Sequence, residues 1–183
     1  MRATTPRYRR PGTGNTWFFT LVSFRRNPIL SLPPMRTALR RAIIDVRTTR
    51  PFDIDAWVLM PDHLHCIWTL PDGDLDHATR WEMIRSAVSR AALVSTVSTG
   101  TRNPSRIAHR EASIWQRRVD AYQIRDDREV ERHVDYIHFN PVKHGHVARA
   151  ADWPYSTFHR YVKNGVYPAD WNGTRQVEAM WIE

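Results

Sequence analysis

The stretch from Trp57 to Trp68 constrains the fold of this chain more than any other, because two histidines alternate with apolar residues within it. Side chains on an extended strand point alternately to the two faces of a sheet, so His63 and His65 share one face. The intervening apolar residues share the opposite face, and they are Leu64, Cys66 and Trp68. The sequence therefore predicts a strand with an apolar core face and a second face that presents two imidazoles.

Two neighbouring imidazoles are good ligands for Zn, Mn, Fe or Cu, and a site completed by oxygen ligands and phosphate also accepts Mg. Many strands carry two histidines without a catalytic role, so this pair needs a second group of residues to identify a metal site. Cys66 is the only cysteine, which excludes an intrachain disulfide and a cysteine-based zinc site. We therefore expect a reducing, cytoplasmic location.

The charge balance points to a polyanionic partner. The chain has 183 residues, a formal net charge of +8 and a sequence pI of about 10.3, and Lys143 and Lys163 are its only lysines. Arginine presents a planar fork of donors that suits phosphate oxygens and guanine edges. A GC-rich genome would also favour arginine codons, but it does not explain the net charge. We expect no signal peptide and no membrane span, because no apolar run approaches about 20 residues.

The pattern along the chain predicts the order βαββαβα within one domain. Predicted strands cover residues 17–24, 52–60, 63–70 and 115–124, predicted helices cover about 35–49, 78–94 and 127–139, and a short helix covers about 156–164. We expect Asp126 to cap the third helix and Pro141 with Gly145 to end it. Residues 95–105 are predicted to form a loop. Residues 1–15 are expected to form a flexible basic arm, residues 16–147 the catalytic domain, and residues 148–183 a C-terminal extension packed on it.

The helix before Pro141 supplies the second group of residues. Residues three and four apart share a helix face, which places His133, Tyr136 and Asn140 on one side. A tyrosine hydroxyl can attack phosphorus if its proton is removed and a metal withdraws charge from the phosphate. The asparagine carbonyl oxygen can add a third ligand to two histidines. His133 lies on the Tyr136 face and is a candidate for proton transfer.

Several motifs together resemble one family. The run from 57 to 73 is similar to the signature strand of the REP-associated tyrosine transposases, which are relatives of the insertion-sequence 200-like single-strand transposases in the HUH nuclease superfamily. Further similar motifs follow in the same order, and they are Thr79-Arg80-Trp81, Ile114 to Arg118, Ile124-Arg125-Asp126, Tyr136 to Gly145 and Trp153 to Ser156. The resemblance covers most of the chain. The sequence departs from the family at Ala121-Tyr122, where an acidic residue followed by histidine is expected, which makes Tyr122 a rival candidate for the nucleophile.

The resemblance implies an α+β, ferredoxin-like HUH fold, with an antiparallel sheet of about four to five strands and helices packed on it. It implies that His63 and His65 are metal ligands, that Asn140 completes the metal site and that Tyr136 is the nucleophile. Tyr122 is the weaker candidate because it lacks an amide four residues later on a helix. The metal implied is Mg or Mn.

The implied reaction is cleavage and rejoining of single-stranded DNA at a REP-like palindromic hairpin, through a covalent 5′-phosphotyrosine. The implied partner is single-stranded or hairpin DNA, and no membrane is involved. The implied location is the bacterial cytoplasm, at the nucleoid. The implied state is a monomer, with the dimer of related transposases as the alternative. The candidate DNA-binding residues are Arg80, Arg85, Arg90, Arg117 and Arg118, which we expect on exposed faces. Two other classes stay open: a DNA-binding protein without cleavage activity, and a metal-dependent phosphoesterase that uses an activated water.

Overall fold

The computed structural model describes residues 15–98 and 114–173, with only the backbone described for residues 93–98. The predicted basic arm, apart from Asn15, lies outside the described residues. So do the second half of the predicted 95–105 loop and the last ten residues of the C-terminal extension. The limits predicted for the domain and the extension stay predictions.

Four strands form one antiparallel sheet in the order β2-β3-β1-β4. They are β1 (Thr16–Val22), β2 (Asp53–Leu59), β3 (His63–Thr69) and β4 (Asp120–Gln123). This sheet confirms the predicted α+β fold. The predicted fourth strand over 115–124 is too long, because Trp115 forms only an isolated bridge with Ser23 and the ladder begins at Asp120.

The helices are α1 (Pro33–Thr49), α2 (His77–Ser98), α3 (Asp127–Lys143) and α4 (Phe158–Lys163). Helix α1 starts with two prolines, whose fixed φ suits the first turn and whose missing N–H groups would have no helical partner there. Helix α2 continues four residues beyond the predicted end at 94 and therefore includes the first residues of the predicted loop. No helix in the described ranges is both long enough and apolar enough to span a bilayer.

Helix α3 begins where the sequence predicts but ends later. Asp126 caps it by accepting a hydrogen bond from the Glu129 backbone N–H at 2.8 Å. The expectation that Pro141 ends the helix is wrong, because Pro141 lies inside α3. A proline in the last turn costs one hydrogen bond, and here the N–H groups of His144 and His146 still bond to the carbonyls of Asn140 and Pro141. The chain leaves the helix at Gly145, whose φ of +69° favours glycine.

The sheet separates two apolar clusters. On one face, α1 and α2 pack on Leu64, Cys66 and Trp68, as the alternation of β3 predicts. On the other face, α3 and the C-terminal segment pack around Ile67, which lies on the face of the two histidines. The C-terminal segment also covers the outer edge of β2, through backbone hydrogen bonds at Leu59 and Trp57. Helix α3 therefore crosses the face that carries His63 and His65.

Candidate active site

Strand β3 holds both imidazoles in fixed orientations at the centre of the sheet. His63 Nδ1–H donates to Asp62 Oδ1 at 2.7 Å, which turns its Nε2 toward α3. His65 Nδ1 lies 2.9 Å from the Thr20 hydroxyl, on the residue directly opposite in the β1–β3 register. Each histidine therefore has one nitrogen occupied by a neighbour, and the other nitrogen faces the helix.

Helix α3 brings a phenol and an amide to these nitrogens. The Tyr136 hydroxyl lies 3.5 Å from His65 Nε2, and Asn140 Oδ1 lies 3.1 Å from His63 Nε2. All four residues are at most 4% exposed. The four residues are predicted from sequence to form one site, and the structure brings them together on one face of the sheet. Their chemical roles stay predictions.

The donor atoms fit a divalent metal. When His63 is neutral, its Nε2 carries a lone pair that faces the carbonyl oxygen of Asn140, so two acceptors stand 3.1 Å apart. In this orientation of the amide, the buried Asn140 Nδ2 has no hydrogen-bond partner among the described residues. A cation between the acceptors would remove this mismatch. Within the described ranges, no group of three His, Cys, Asp or Glu is placed to hold a metal.

The electrostatics of the pocket keep His65 in the form that can bind a metal. Burial lowers the pKa of His65 well below its ordinary value, and the basic side chains of His63, His144 and Lys143 nearby lower it further. His65 is therefore neutral at neutral pH. Burial acts to raise the pKa of Asp62, but its hydrogen bonds with His63 and Arg26 outweigh this and leave the pKa below its ordinary value. Asp62 is thus a carboxylate that orients His63.

Two further basic residues, Lys143 and His144, border the site. Lys143 Nζ lies 5.1 Å from the centre of the Tyr136 ring. The exposed His144 ring lies 5.1 Å from the His63 ring. Lys143 lies seven residues after Tyr136, which is two helical turns, and this spacing is the signal that could have placed it. The role of Thr20 becomes visible only from the β1–β3 register.

His133 and Tyr122 form a cluster beside the site. The His133 ring packs on Phe18 with a centroid separation of 4.8 Å and stacks on Tyr122 at 5.5 Å. Its Nδ1–H donates to the Glu129 carbonyl at 2.7 Å, and burial lowers its pKa, so the ring is neutral at neutral pH. The Tyr122 hydroxyl donates to the Glu129 carboxylate at 3.0 Å. The hydrogen-bond partner of Tyr122 is therefore Glu129 and not His63 or His65, which supports Tyr136 as the candidate nucleophile.

Arg80 does not lie where the sequence prediction places it. It is only 1% exposed, so the expectation that it lies on the outer face of α2 and contacts DNA is wrong. Its guanidinium donates to the Asp74 carboxylate at 2.6 Å and to the carbonyls of Arg50, Pro51 and Asp76. Each nitrogen of the guanidinium donates to an acceptor within the protein. Arg80 therefore connects the start of α2 to the end of α1. A motif shared with a DNA-acting family does not distinguish such a structural arginine from a DNA-binding one.

The other predicted DNA-binding arginines remain accessible. Arg85 is partly exposed and donates to the Gln116 carbonyl at 2.7 Å, so it supports the segment that carries Arg117 and Arg118. Arg117 and Arg118 are exposed, and Arg90 is exposed with a hydrogen bond to Ser86 on its own helix. These four residues stay candidates for DNA contact.

Comparisons with known proteins agree with this geometry. The chain is 46% identical over 160 residues to a REP-associated tyrosine transposase of Escherichia coli (strain K12), covering 87% of this chain and 86% of that protein. The chain belongs to the REP-associated tyrosine transposases. A protein of Haemophilus influenzae (strain ATCC 51907 / DSM 11121 / KW20 / Rd) classed with the same transposases is 39% identical over 167 residues, covering 91% and 93%. No family model matches the chain.

A solved structure of a REP-associated tyrosine transposase bound to a REP hairpin matches with a TM-score of 0.73 at 45% identity, and the match covers 91% of both chains. This match agrees with the four-stranded antiparallel sheet described above. Family membership makes the chain a tyrosine transposase, and transposases of the HUH type generally use a divalent metal.

Proposed function

We propose that this transposase cleaves and rejoins single-stranded DNA at the foot of a REP-like hairpin, with Tyr136 as the nucleophile. One observation carries the proposal: the Tyr136 hydroxyl lies 3.5 Å from His65 Nε2, on the side of the sheet where His63 Nε2 and Asn140 Oδ1 also meet. A phosphate held at the two histidines would lie next to the attacking oxygen. The hairpin-bound structure of the 45% identical relative supports hairpin DNA as the substrate.

In the proposed reaction, the Tyr136 oxygen forms a bond to phosphorus and the bond from phosphorus to the 3′ oxygen breaks. The phenolic proton leaves as the bond forms, and the departing 3′ oxygen takes up a proton to become a hydroxyl group. The product is a 5′-phosphotyrosine, which keeps an ester bond that another DNA 3′-hydroxyl can attack. Cleavage and rejoining therefore need no external energy source.

His63, His65 and Asn140 would hold the metal, with Mg or Mn as the proposed ion. When bound, the ion would supply positive charge to the scissile phosphate. The chain itself orients the ligands: Asp62 fixes His63, Thr20 fixes His65, and α3 carries the amide. His133 is proposed to assist in proton transfer. Its Nδ1–H donates to the Glu129 carbonyl, and because the ring is neutral, its Nε2 carries a lone pair that can accept a proton.

Arg85, Arg90, Arg117 and Arg118 are the proposed contacts to the hairpin backbone. They lie on α2 and on the segment before β4. Arg85 connects this segment to α2 through its hydrogen bond to the Gln116 carbonyl. A monomer acting at the bacterial nucleoid is the proposed state.

The decisive test is a denaturing gel of the protein with a labelled REP hairpin carrying unpaired tails, in the presence of Mn. We expect a denaturation-resistant protein–DNA adduct with the wild type and with Tyr122→Phe, and a loss of about a thousandfold or more with Tyr136→Phe. Tyr122→Phe is the matched control, since it removes a hydroxyl from an exposed tyrosine on strand β4. Cleaved DNA without an adduct would indicate a phosphoesterase that uses water, and binding without cleavage would indicate a DNA-binding protein.

A second measurement tests the metal site without relying on activity. Mn at a hundredfold excess over its Kd should stabilise the wild type by about 2.7 kcal/mol, seen as a rise in Tm. The rise should disappear in His63→Ala and in Asn140→Ala, and it should persist in Tyr136→Phe. An equal rise in all variants would reject these residues as ligands.

A further inference from the structure

A strained turn lies directly beside the candidate active site. Arg25 and Arg26, which follow β1, have φ values of 56° and 52°, and they are the only residues other than glycine with positive φ in the described ranges. A side chain in this region brings Cβ close to the following carbonyl oxygen, so two consecutive arginines are unfavourable there. Such strain persists where the surroundings enforce it, and it is concentrated at functional sites.

Hydrogen bonds that the turn donates to two other segments hold it in place. The Ser23 N–H donates to the Asp62 carbonyl at 2.7 Å, and the Phe24 N–H donates to the Ile114 carbonyl at 2.7 Å. The Ser23 hydroxyl closes the turn by donating to the Asn27 carbonyl at 2.7 Å. The position of the turn is therefore coupled to Asp62, the residue that orients His63.

The turn presents an aromatic ring and a cation to solvent. Phe24 is 39% exposed, and the Arg25 guanidinium carbon lies 5.2 Å from the centre of its ring. Neither side chain packs into either apolar cluster of the sheet. An exposed ring beside an arginine is the pair of groups that single-strand binding proteins use, with a base stacked on the ring and a phosphate on the cation.

The turn is also linked to the candidate metal site through side chains. Arg26 donates to Asp62 Oδ2 at 3.3 Å, and the other oxygen of Asp62 accepts from His63 at 2.7 Å. One carboxylate therefore separates the turn from a metal-site histidine. A DNA strand with its scissile phosphate at Tyr136 would therefore lie close to this rim.

We propose that the Phe24–Arg26 turn binds the unpaired strand next to the scissile phosphate, with a base stacked on Phe24 and the adjacent phosphate bound by Arg25. This inference rests on the proposed function, because it assumes a DNA strand at Tyr136. It adds binding residues that lie outside the arginines proposed above for the hairpin. The strain of the turn keeps both side chains directed to solvent at the rim.

The test measures fluorescence anisotropy with three labelled probes: a REP hairpin with unpaired tails, the same hairpin with blunt ends, and a single-stranded oligothymidine. Phe24→Ala and Arg25→Gly should each weaken binding of the tailed hairpin and the oligothymidine by roughly five- to one-hundredfold. Binding of the blunt hairpin should stay unchanged. Phe24→Trp should restore binding of the tailed probes, because it restores a stacking surface.

Two controls separate loss of binding from loss of folding or charge. Arg25→Gly relieves the positive φ, so its Tm should equal or exceed that of the wild type while its affinity falls. Arg40→Ala removes the same charge from an exposed position on α1, which packs on the opposite face of the sheet. It should leave the binding of all three probes close to the wild-type value.

Equal affinity of wild type and both turn variants for the tailed probes would overturn the inference. So would an equal loss on the blunt hairpin, or a loss of the same size with Arg40→Ala. The proposed function fails separately, if the wild type binds no hairpin or forms no Tyr136-dependent adduct. If the wild type forms the adduct and the turn variants bind normally, only the proposed role of the turn is rejected.

Discussion

The two faces of the sheet are formed by the same strands but differ in role: one packs an apolar core and the other carries the candidate active site. On the face covered by α1 and α2, Trp68 of β3 stacks between Phe52 and Trp81, with a ring-centre distance of 4.0 Å to each. On the face covered by α3, the alternate residues His63 and His65 meet a phenol and an amide. All seven residues of β3 are buried. Burial therefore does not distinguish the two faces, and only the chemistry of the side chains does.

The comparison shows how a small domain can tolerate a buried polar site. Buried polar groups contribute little net stability even when they are hydrogen-bonded, and they cost free energy when they are not. Asn140 Nδ2 lacks a partner among the described residues, and so do the ring N–H groups of Trp68 and Trp81 on the opposite face, so both faces carry such a cost. The stacked aromatic rings of the opposite face offset it. Stability and chemistry thus lie on alternate residues of one strand.

The largest expected effect follows from removing the central ring of the apolar face. Trp68→Ala should lower the free energy of unfolding by about 3–5 kcal/mol, because it deletes a fully buried ring and leaves a cavity between Phe52 and Trp81. Tyr136→Phe, on the other face, should change stability by less than about 1.5 kcal/mol. Urea unfolding measures both changes.

The adduct assay then completes the comparison of the two faces. Per folded molecule, Trp68→Ala should retain adduct formation, while Tyr136→Phe should lose it. If Trp68→Ala proves nearly as stable as the wild type, or if it loses the adduct while folded, the division of roles between the faces is wrong.

A second prediction contrasts two arginines of helix α2. Arg80→Met should lower the free energy of unfolding by about 2–3 kcal/mol, because it leaves the Asp74 carboxylate and the carbonyls at the end of α1 without their donor. Arg90→Met is the matched control at an exposed position of the same helix, and its unfolding free energy should change by less than about 0.5 kcal/mol. Thermal or urea unfolding measures both.

Hairpin binding should show the reverse order. Arg90→Met should weaken affinity and reduce its salt dependence, because a phosphate contact is lost. Arg80→Met, measured at a temperature where it is folded, should bind normally. If Arg80→Met is folded and binds the hairpin more weakly, Arg80 does contribute to DNA binding.

The sequence predicts the site better than it predicts the limits of the elements. The period of two in β3 and the three- and four-residue spacing in α3 place His63, His65, Tyr136 and Asn140 on defined faces, and the packing of α3 across the sheet brings these faces together. Local periodicity is enough here because each element carries its functional residues on one face. Pro141 shows the limit of this reasoning, since a proline near a helix end can either terminate the helix or lie in its last turn.

Arg80, Thr20 and the Phe24–Arg26 turn could not be placed from sequence for a different reason. The burial of Arg80 depends on carbonyl groups some thirty residues earlier in the chain, at Arg50 and Pro51. The role of Thr20 depends on strand register. The positive φ of Arg25 depends on hydrogen bonds from Ser23 and Phe24 to segments far along the chain. Long-range partners decide all three, and they leave no periodic signal.

The smallest predicted effect concerns the cluster on α3 that supports His133. Hydrogen bonding and charge from Arg125 lower the pKa of Glu129 from its ordinary 4.5 to about 2. A carboxyl group whose pKa is lower in the folded protein stabilises it above the unfolded-state pKa, and this stabilisation is lost as the pH falls through the folded-state value. Because Arg125 is exposed and the pair is screened by solvent, we expect a contribution of only about 1 kcal/mol.

Urea unfolding of the wild type and Glu129→Gln at a series of pH values isolates this contribution from that of the other acids. Above pH 4.5 the wild type should be more stable than Glu129→Gln, and the difference should shrink toward zero as the pH falls to about 2. Added salt should reduce the difference at the higher pH. A difference that stays constant over this range would show that Glu129 acts through neutral hydrogen bonds to Tyr122 and the Arg125 backbone, and that the support of His133 does not depend on charge.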